Sequence, residues 1–204
     1  MNIDGNLLDV EASFCYLGDM LDAGGGYNTA ITHWCCLAWG RFRKLLPILT
    51  SHHLSPKVQG RVYEACVRTP MLHSSETWRP NIPDLLCLQH IDRAMIHWIC
   101  AVNERSIVSS IHLLQKLGLH DITTVLYSRR LRWFGHTQRA TTSGIANVTN
   151  LTVPGSRGRH GRHRKTWAEC VQGDLKELSL TTVDLQDRTM WRRAVCVSLV
   201  QPTP

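Results

Sequence analysis

The sequence predicts a mainly α-helical fold: a short N-terminal β element, a helical bundle, a basic linker and C-terminal helices. Three observations carry this. Apolar residues recur at three- and four-residue steps through most of residues 27–139 and again after 166. Capping residues stand at the ends of these runs. A strand-like stretch occurs only near the start, over residues 7–18, ending in Phe14-Cys15-Tyr16-Leu17-Gly18.

The elements follow in order. Gly24-Gly25-Gly26 breaks the β element, and Asn28 is placed to cap a helix. In that helix Ile31, Trp34, Cys35, Ala38, Phe42, Leu45 and Leu49 share one face. Ser55-Pro56 pairs a cap with a proline at the first helical position, and Val58, Val62, Ala65 and Cys66 continue as the expected inner stripe. Pro70 predicts a kink or stop, since it removes a hydrogen bond and its ring clashes with the preceding turn. Asp84 opens a further helix with Leu85, Leu88, Met95, Trp98 and Ile99 on one face. A short helix near 107–117 ends at Gly118, a natural C-cap. Asp121 caps the next, where Ile122, Val125, Leu126, Arg129 and Trp133 are spaced by three or four. Residues 140–164 read as loop, with a brief strand possible around Val148, Leu151 and Val153. Thr166 and Glu169 match a capping box for a helix to Leu178 with Trp167, Val171, Leu175 and Leu178 inward. A last helix spans about 184–199.

Charge is the most uneven property of the chain. Between Asp121 and Glu169 there are nine Arg or Lys and no carboxylate, whereas the whole chain of 204 residues carries +7. The rest therefore sums to −2, and the excess lies in one block. Such a block faces a polyanion or stays solvated, and the phosphate backbone of nucleic acid is the default partner. The densest part, Gly155-Ser156-Arg157-Gly158-Arg159-His160-Gly161-Arg162-His163-Arg164-Lys165, alternates glycine with cations, so each guanidinium can find a phosphate; a solvated linker is the competing reading. Trp133, Phe134 and Trp167 flank the basic residues and could stack on unpaired bases, although core anchoring is the expected role of both tryptophans.

Other chemistry is sparse. Cys87-x2-His90 and His97-x2-Cys100 have zinc-like spacing, but seven residues of helix separate the pairs by about 10 Å, too far for one ion. Asp19 and Asp22 are close together yet read as a solvated turn. No phosphate-binding glycine loop, nucleophile elbow or metalloprotease helix occurs. The eight cysteines mostly lie in helical apolar patterns and are expected to be reduced core residues of an intracellular protein, in nucleus or cytoplasm and not secreted. No apolar run reaches membrane-spanning length, so no membrane partner is expected.

Several segments form an ordered set. They are Tyr16-Leu17-Gly18, Val62-Tyr63, Glu76-Thr77-Trp78, Asp92-Arg93 with Trp98-Ile99, Arg130-Leu131-Arg132-Trp133-Phe134-Gly135-His136 with Arg139, Gly161-Arg162, Thr166-Trp167, Asp174-Leu175, Asp187-Arg188 and Trp191-Arg192. Their order and spacing, up to about Arg193, resemble the C-terminal third of reverse transcriptases (RNA-directed DNA polymerases) of LINE-type, non-LTR retrotransposons. The resemblance implies four regions. Residues 1–26 would end a palm, with Tyr16, Leu17 and Gly18 as a primer-grip remnant; 27–139 would be a helical thumb-like region; 140–165 a basic linker; and 166–204 a C-terminal helical region.

The departures decide the expected function. The palm aspartates that hold two metal ions in that family would lie upstream of Tyr-Leu-Gly, and no Asp-Asp pair occurs anywhere in this chain. The chain is therefore expected to be no enzyme, to need no cofactor or metal, and to bind RNA or DNA through phosphates with little sequence preference. Arg129, Arg130, Arg132, Arg139, Arg157, Arg159, Arg162, Arg164 and Lys165 are the expected binding residues, and a small-molecule ligand is not expected. The alternatives are a decayed relic without selected function and a helical protein-interaction module, favoured if Leu7, Leu8 and Phe14 are bare.

Overall fold

A computed structural model describes residues 2–3, 6–7, 11–16, 19–23, 27–103, 108–140, 165–181 and 183–198. The fold is mainly α with an N-terminal β element, as the periodicity predicts. The chain forms two compact units, Met1–Ser74 with Pro80–Leu119, and Ser75–Arg79 with His120–Pro204. The division at Leu119 differs from the thumb-like span of 27–139 read from the sequence: the helix that follows Asp121 belongs with the C-terminal helices.

The first unit begins with two antiparallel pairs, β1 (Asn2–Ile3) with β2 (Asn6–Leu7), and β3 (Ser13–Tyr16) with β4 (Asp19–Asp22). Asp19 is not simply a solvated turn residue, since its Oδ1 accepts from the Trp34 indole at 3.3 Å and the Met20 N–H at 3.0 Å. Helix α1 (Asn28–Leu49) buries the expected face, with Leu45 alone only half-buried. Tyr27, not Asn28, occupies the cap position, and its carbonyl receives the Ile31 N–H at 2.9 Å.

Pro70 does not stop its helix. Helix α2 (Pro56–Tyr63) runs into a π-helical turn (Glu64–Arg68) and then α3 (Thr69–Met71). The wider turn makes room for the proline ring and a lost donor, a recognised way for a helix to absorb such a residue. It also moves the inner face. On an α-helix Tyr63 and Arg68 would stand about 140° apart, whereas a turn closed over five residues brings them to one side. Both then reach Asp92. Tyr63 donates its hydroxyl at 2.9 Å, and Arg68 forms a fork of Nε at 2.7 Å and Nη2 at 2.6 Å. The expected stripe of Val58, Val62, Ala65 and Cys66 is correspondingly half-buried or exposed, and Tyr63 and Val67 are in the core.

Helix α4 (Ile82–Ile99) is capped by Asn81, with Asp84 as the reciprocal partner three residues on rather than as the cap itself. Its inner face holds Leu88, Asp92, Met95 and Ile99, while Trp98 is half-exposed beside Trp39 and Phe42. Burial opposes the Arg68 charge, yet Asp92 holds the guanidinium above its ordinary value; the Tyr63 hydroxyl is kept well above its own by burial and by Asp92. Both stay protonated, so the network is structural. Helix α5 (Ser110–Leu117) ends as predicted at Gly118, whose φ of +69° suits glycine.

All eight cysteines are free thiols, but Cys35 alone is fully buried, and its thiol is pushed up to about 12 by burial and by nearby Cys87 and Cys36. Five are exposed, against the expectation of core positions, because they sit on the outer sides of their elements. Among the described residues no helix is long and apolar enough to cross a membrane.

Candidate functional site

The candidate site lies wholly within the second unit. Its scaffold is helix α6 (Ile122–Arg139), α7 (Trp167–Glu177) and α8 (Arg188–Ser198). Each starts on a residue whose side chain accepts the orphan N–H groups of the first turn. Asp121 takes the Thr123 N–H at 2.9 Å, Thr166 and Glu169 form the predicted capping box, and Asp187 takes the N–H groups of Thr189 and Met190. Leu131, Val171, Leu175, Leu180, Trp191 and Val195 form the core, with Phe134 and Trp167 packed on its edge.

The basic stretch of α6 is divided between two faces. Arg130 points inward, 3% exposed, and donates from Nη1 to Asp174 Oδ2 at 2.8 Å. It therefore leaves the set of expected binding residues: three steps from Tyr127 and one from Leu131, its position falls on the buried side of the helix. Burial pushes the Asp174 carboxyl up to about 6, and Arg130 pulls against that without cancelling it. Arg139 is half-buried and donates Nη1 to the Leu185 carbonyl at 2.8 Å, so part of its donor capacity ties α6 to the loop before α8.

Arg129, Arg132, Trp133 and His136 line the other face. Their spacing of three, four and seven from Arg129 makes one stripe. With Glu76 they line a wide-open recess of about 380 Å³. Glu76 is fixed through its main chain, whose carbonyl receives the Trp167 indole N–H at 2.9 Å. Trp167 thus takes the anchoring role expected of it. Trp133 instead sits half-buried at the recess, its ring 5.4 Å from that of His136.

Arg132 is exposed and donates Nη2 to Cys196 Sγ at 3.4 Å. This contact reveals basic residues the sequence reading missed. Arg192 and Arg193 stand four and three positions before Cys196 on α8, both exposed, a spacing that groups them with Cys196 along the helix. A sequence signal existed in Trp191-Arg192-Arg193, but only the α6–α8 packing carries it toward Arg132. Lys165 is exposed at the foot of α7, where its carbonyl accepts from Arg79 at 3.3 Å.

Arg157, Arg159, Arg162 and Arg164 lie outside the described residues, as do Leu17, Gly18 and the suggested strand near Val148. Tyr16 is described on β3, 57% exposed. Among the described residues no three His, Cys, Asp or Glu side chains gather as metal ligands. His97 is buried in α4 while Cys87 and His90 are exposed, so the two zinc-like pairs do not meet.

Four pairs of residues from the segments carrying the family resemblance meet within the units. Tyr63 meets Asp92, Glu76 meets Trp167, Arg130 meets Asp174, and Leu131 meets Trp191. They are packing and hydrogen-bonding partners inside the units. Comparison with protein-family models, curated proteins and solved structures found no match to this chain.

Proposed function

We propose that this chain is a nucleic-acid-binding module without catalytic chemistry of its own, of the kind that forms the thumb and C-terminal tail of LINE-type reverse transcriptases. One observation carries the reading: nine basic residues and no carboxylate over residues 122–168. Arg130 drops out as an internal ion pair, but the outer face of α6 supports the reading. It offers Arg129, Arg132 and His136 beside an aromatic ring, and Arg192 and Arg193 are exposed on α8, which packs against α6. Phosphates would meet these guanidiniums, and Lys165 and the tract before it would extend the contact.

Fluorescence anisotropy of labelled single-stranded RNA, single-stranded DNA and hybrid duplex, titrated across salt, tests this. Log affinity should fall linearly with log salt. Replacing Arg157, Arg159, Arg162 and Arg164 with Ala should flatten that slope by about 0.7–0.9 per lost phosphate contact. No binding, or an unchanged slope in the variant, refutes the corresponding part. Purified protein should incorporate no nucleotide in primer extension with magnesium or manganese.

A second reading has its own observation. Phe14, Tyr16 and Leu21 share one face of the β3–β4 hairpin, Phe14 paired directly with Leu21, and each is more than half exposed. That face favours a protein-interaction role. Sedimentation with and without RNA separates the two, since only self-association or protein pairing would persist without it.

A further inference from the structure

The recess on α6 contains a feature that phosphate binding does not explain. Glu76 is an acid in the wall of a basic site, and its carboxylate forms no ion pair among the described residues. A carboxylate only accepts hydrogen bonds, and beside Arg132 it would repel a phosphate rather than attract one. Its occupant must therefore present N–H or O–H groups at one end and an anion at the other. The recess volume of about 380 Å³ is near the lower end of small-ligand sites, about 300–1,000 Å³. That volume is on the scale of a single nucleotide.

We infer that the recess holds one unpaired guanine nucleotide, its base on Trp133, its Watson–Crick edge against Glu76 and its phosphate toward Arg132. The indole supplies a flat surface for stacking, which tolerates any base. The carboxylate supplies the selection. Guanine alone among the standard bases places two adjacent N–H donors, from N1 and the N2 amino group, on that edge, matching two carboxylate oxygens. Adenine and cytosine offer their amino group beside a ring acceptor, which a carboxylate repels. Arg132 spends one of its five N–H donors on the weak acceptor Cys196 Sγ, which leaves four able to meet a phosphate. The main chain of Glu76 is tied to Trp167 through its carbonyl, which anchors the segment that carries the acid at the recess.

This inference rests on the nucleic-acid reading above but can fail separately. The test is binding of the full chain to short oligouridines carrying a single guanosine, inosine, adenosine or abasic residue at the centre. Guanosine should bind about tenfold more tightly than adenosine or the abasic site, the scale of one good bidentate contact. Inosine, lacking the N2 amino group, should fall between. Glu76→Gln should lower guanosine binding to the adenosine level, bringing the ratio near one while adenosine and abasic binding keep their salt dependence, and a thermal melt should confirm that it folds. Trp133→Ala should weaken all base-bearing oligomers toward the abasic one, and Trp133→Phe should restore most of the difference. Equal binding of all four oligomers by the parent chain overturns the guanine pocket and leaves phosphate binding standing. A preference that survives Glu76→Gln assigns selection elsewhere and also overturns it. Failure to bind any of them removes the parent reading as well.

Discussion

The indole nitrogen of Trp191 donates to the carbonyl oxygen of Leu131 at 3.1 Å, in the middle of α6. So close an approach needs an empty surface on the helix, and Gly135 provides it. A Cβ at residue 135 would lie 2.3 Å from Trp191 Nε1. The glycine in Trp133-Phe134-Gly135-His136 is thus a packing residue that lets α8 seat against α6.

Gly135→Ala should therefore destabilise the second unit by about 1–3 kcal/mol, the usual cost of overpacking. Helix propensity works the other way, favouring Ala by about 1 kcal/mol. A urea melt followed by tryptophan fluorescence decides which wins. A stabilised variant would mean that Trp191 is not lodged on the helix as described.

Arg130 and Arg132 are two residues apart and should behave oppositely. Arg130→Ala leaves the Asp174 carboxylate buried without its partner, and should cost about 3–5 kcal/mol. Arg132→Ala should change stability by no more than about 0.5 kcal/mol and weaken oligonucleotide binding. Replacing Arg130 with Met and Asp174 with Leu together should recover most of the lost stability, since no charge is then left buried. Chemical denaturation and anisotropy on the same preparations test the contrast.

Asp174 also sets a pH dependence. Its carboxyl is raised by burial to about 6 when folded, against about 3.9 in an unfolded chain. Between those values the folded state binds the extra proton, so stability falls as pH rises through the window. The contribution is present in full below about 4 and lost above about 6, and amounts to roughly 2–3 kcal/mol. Asp174→Asn should remove it. Melting curves of parent and variant that run parallel from pH 4 to 7 would contradict this titration.

His97 makes a prediction for the first unit. It is 7% exposed, and neither ring nitrogen has a hydrogen-bond partner among the described residues. Leaving a buried polar group unsatisfied costs about 1–3 kcal/mol. His97→Leu should accordingly raise stability by about 1 kcal/mol, after allowing for imperfect packing of the new side chain. A loss of stability would show that the imidazole has a partner in solution.

Local rules were legible from the residues themselves. Helix starts at Ser55-Pro56, Asp121 and Thr166, the stop at Gly118, and the inner face of α1 all depend on neighbours within a turn or two. So did the concentration of charge between Asp121 and Glu169. The sequence could not tell which face of α6 each arginine occupies, because Arg129, Arg130 and Arg132 are chemically identical and a shift of one residue turns the helix by about 100°. That choice was made by Asp174, 44 residues from Arg130, and by Trp191, 60 residues from Leu131. The π turn before Pro70 is of the same kind: a lone proline reads as a break, and only the pull of Asp92 on both Tyr63 and Arg68 makes a widened helix the better solution. Glu76, distant in sequence from every basic residue of α6, lines the recess on a segment that its main-chain bond to Trp167 and the Arg79 bond to Lys165 tie to α7. Short-range hydrogen bonding and apolar spacing are written along the chain, whereas the pairing of buried charges and the lining of a recess require distant segments to be brought together first.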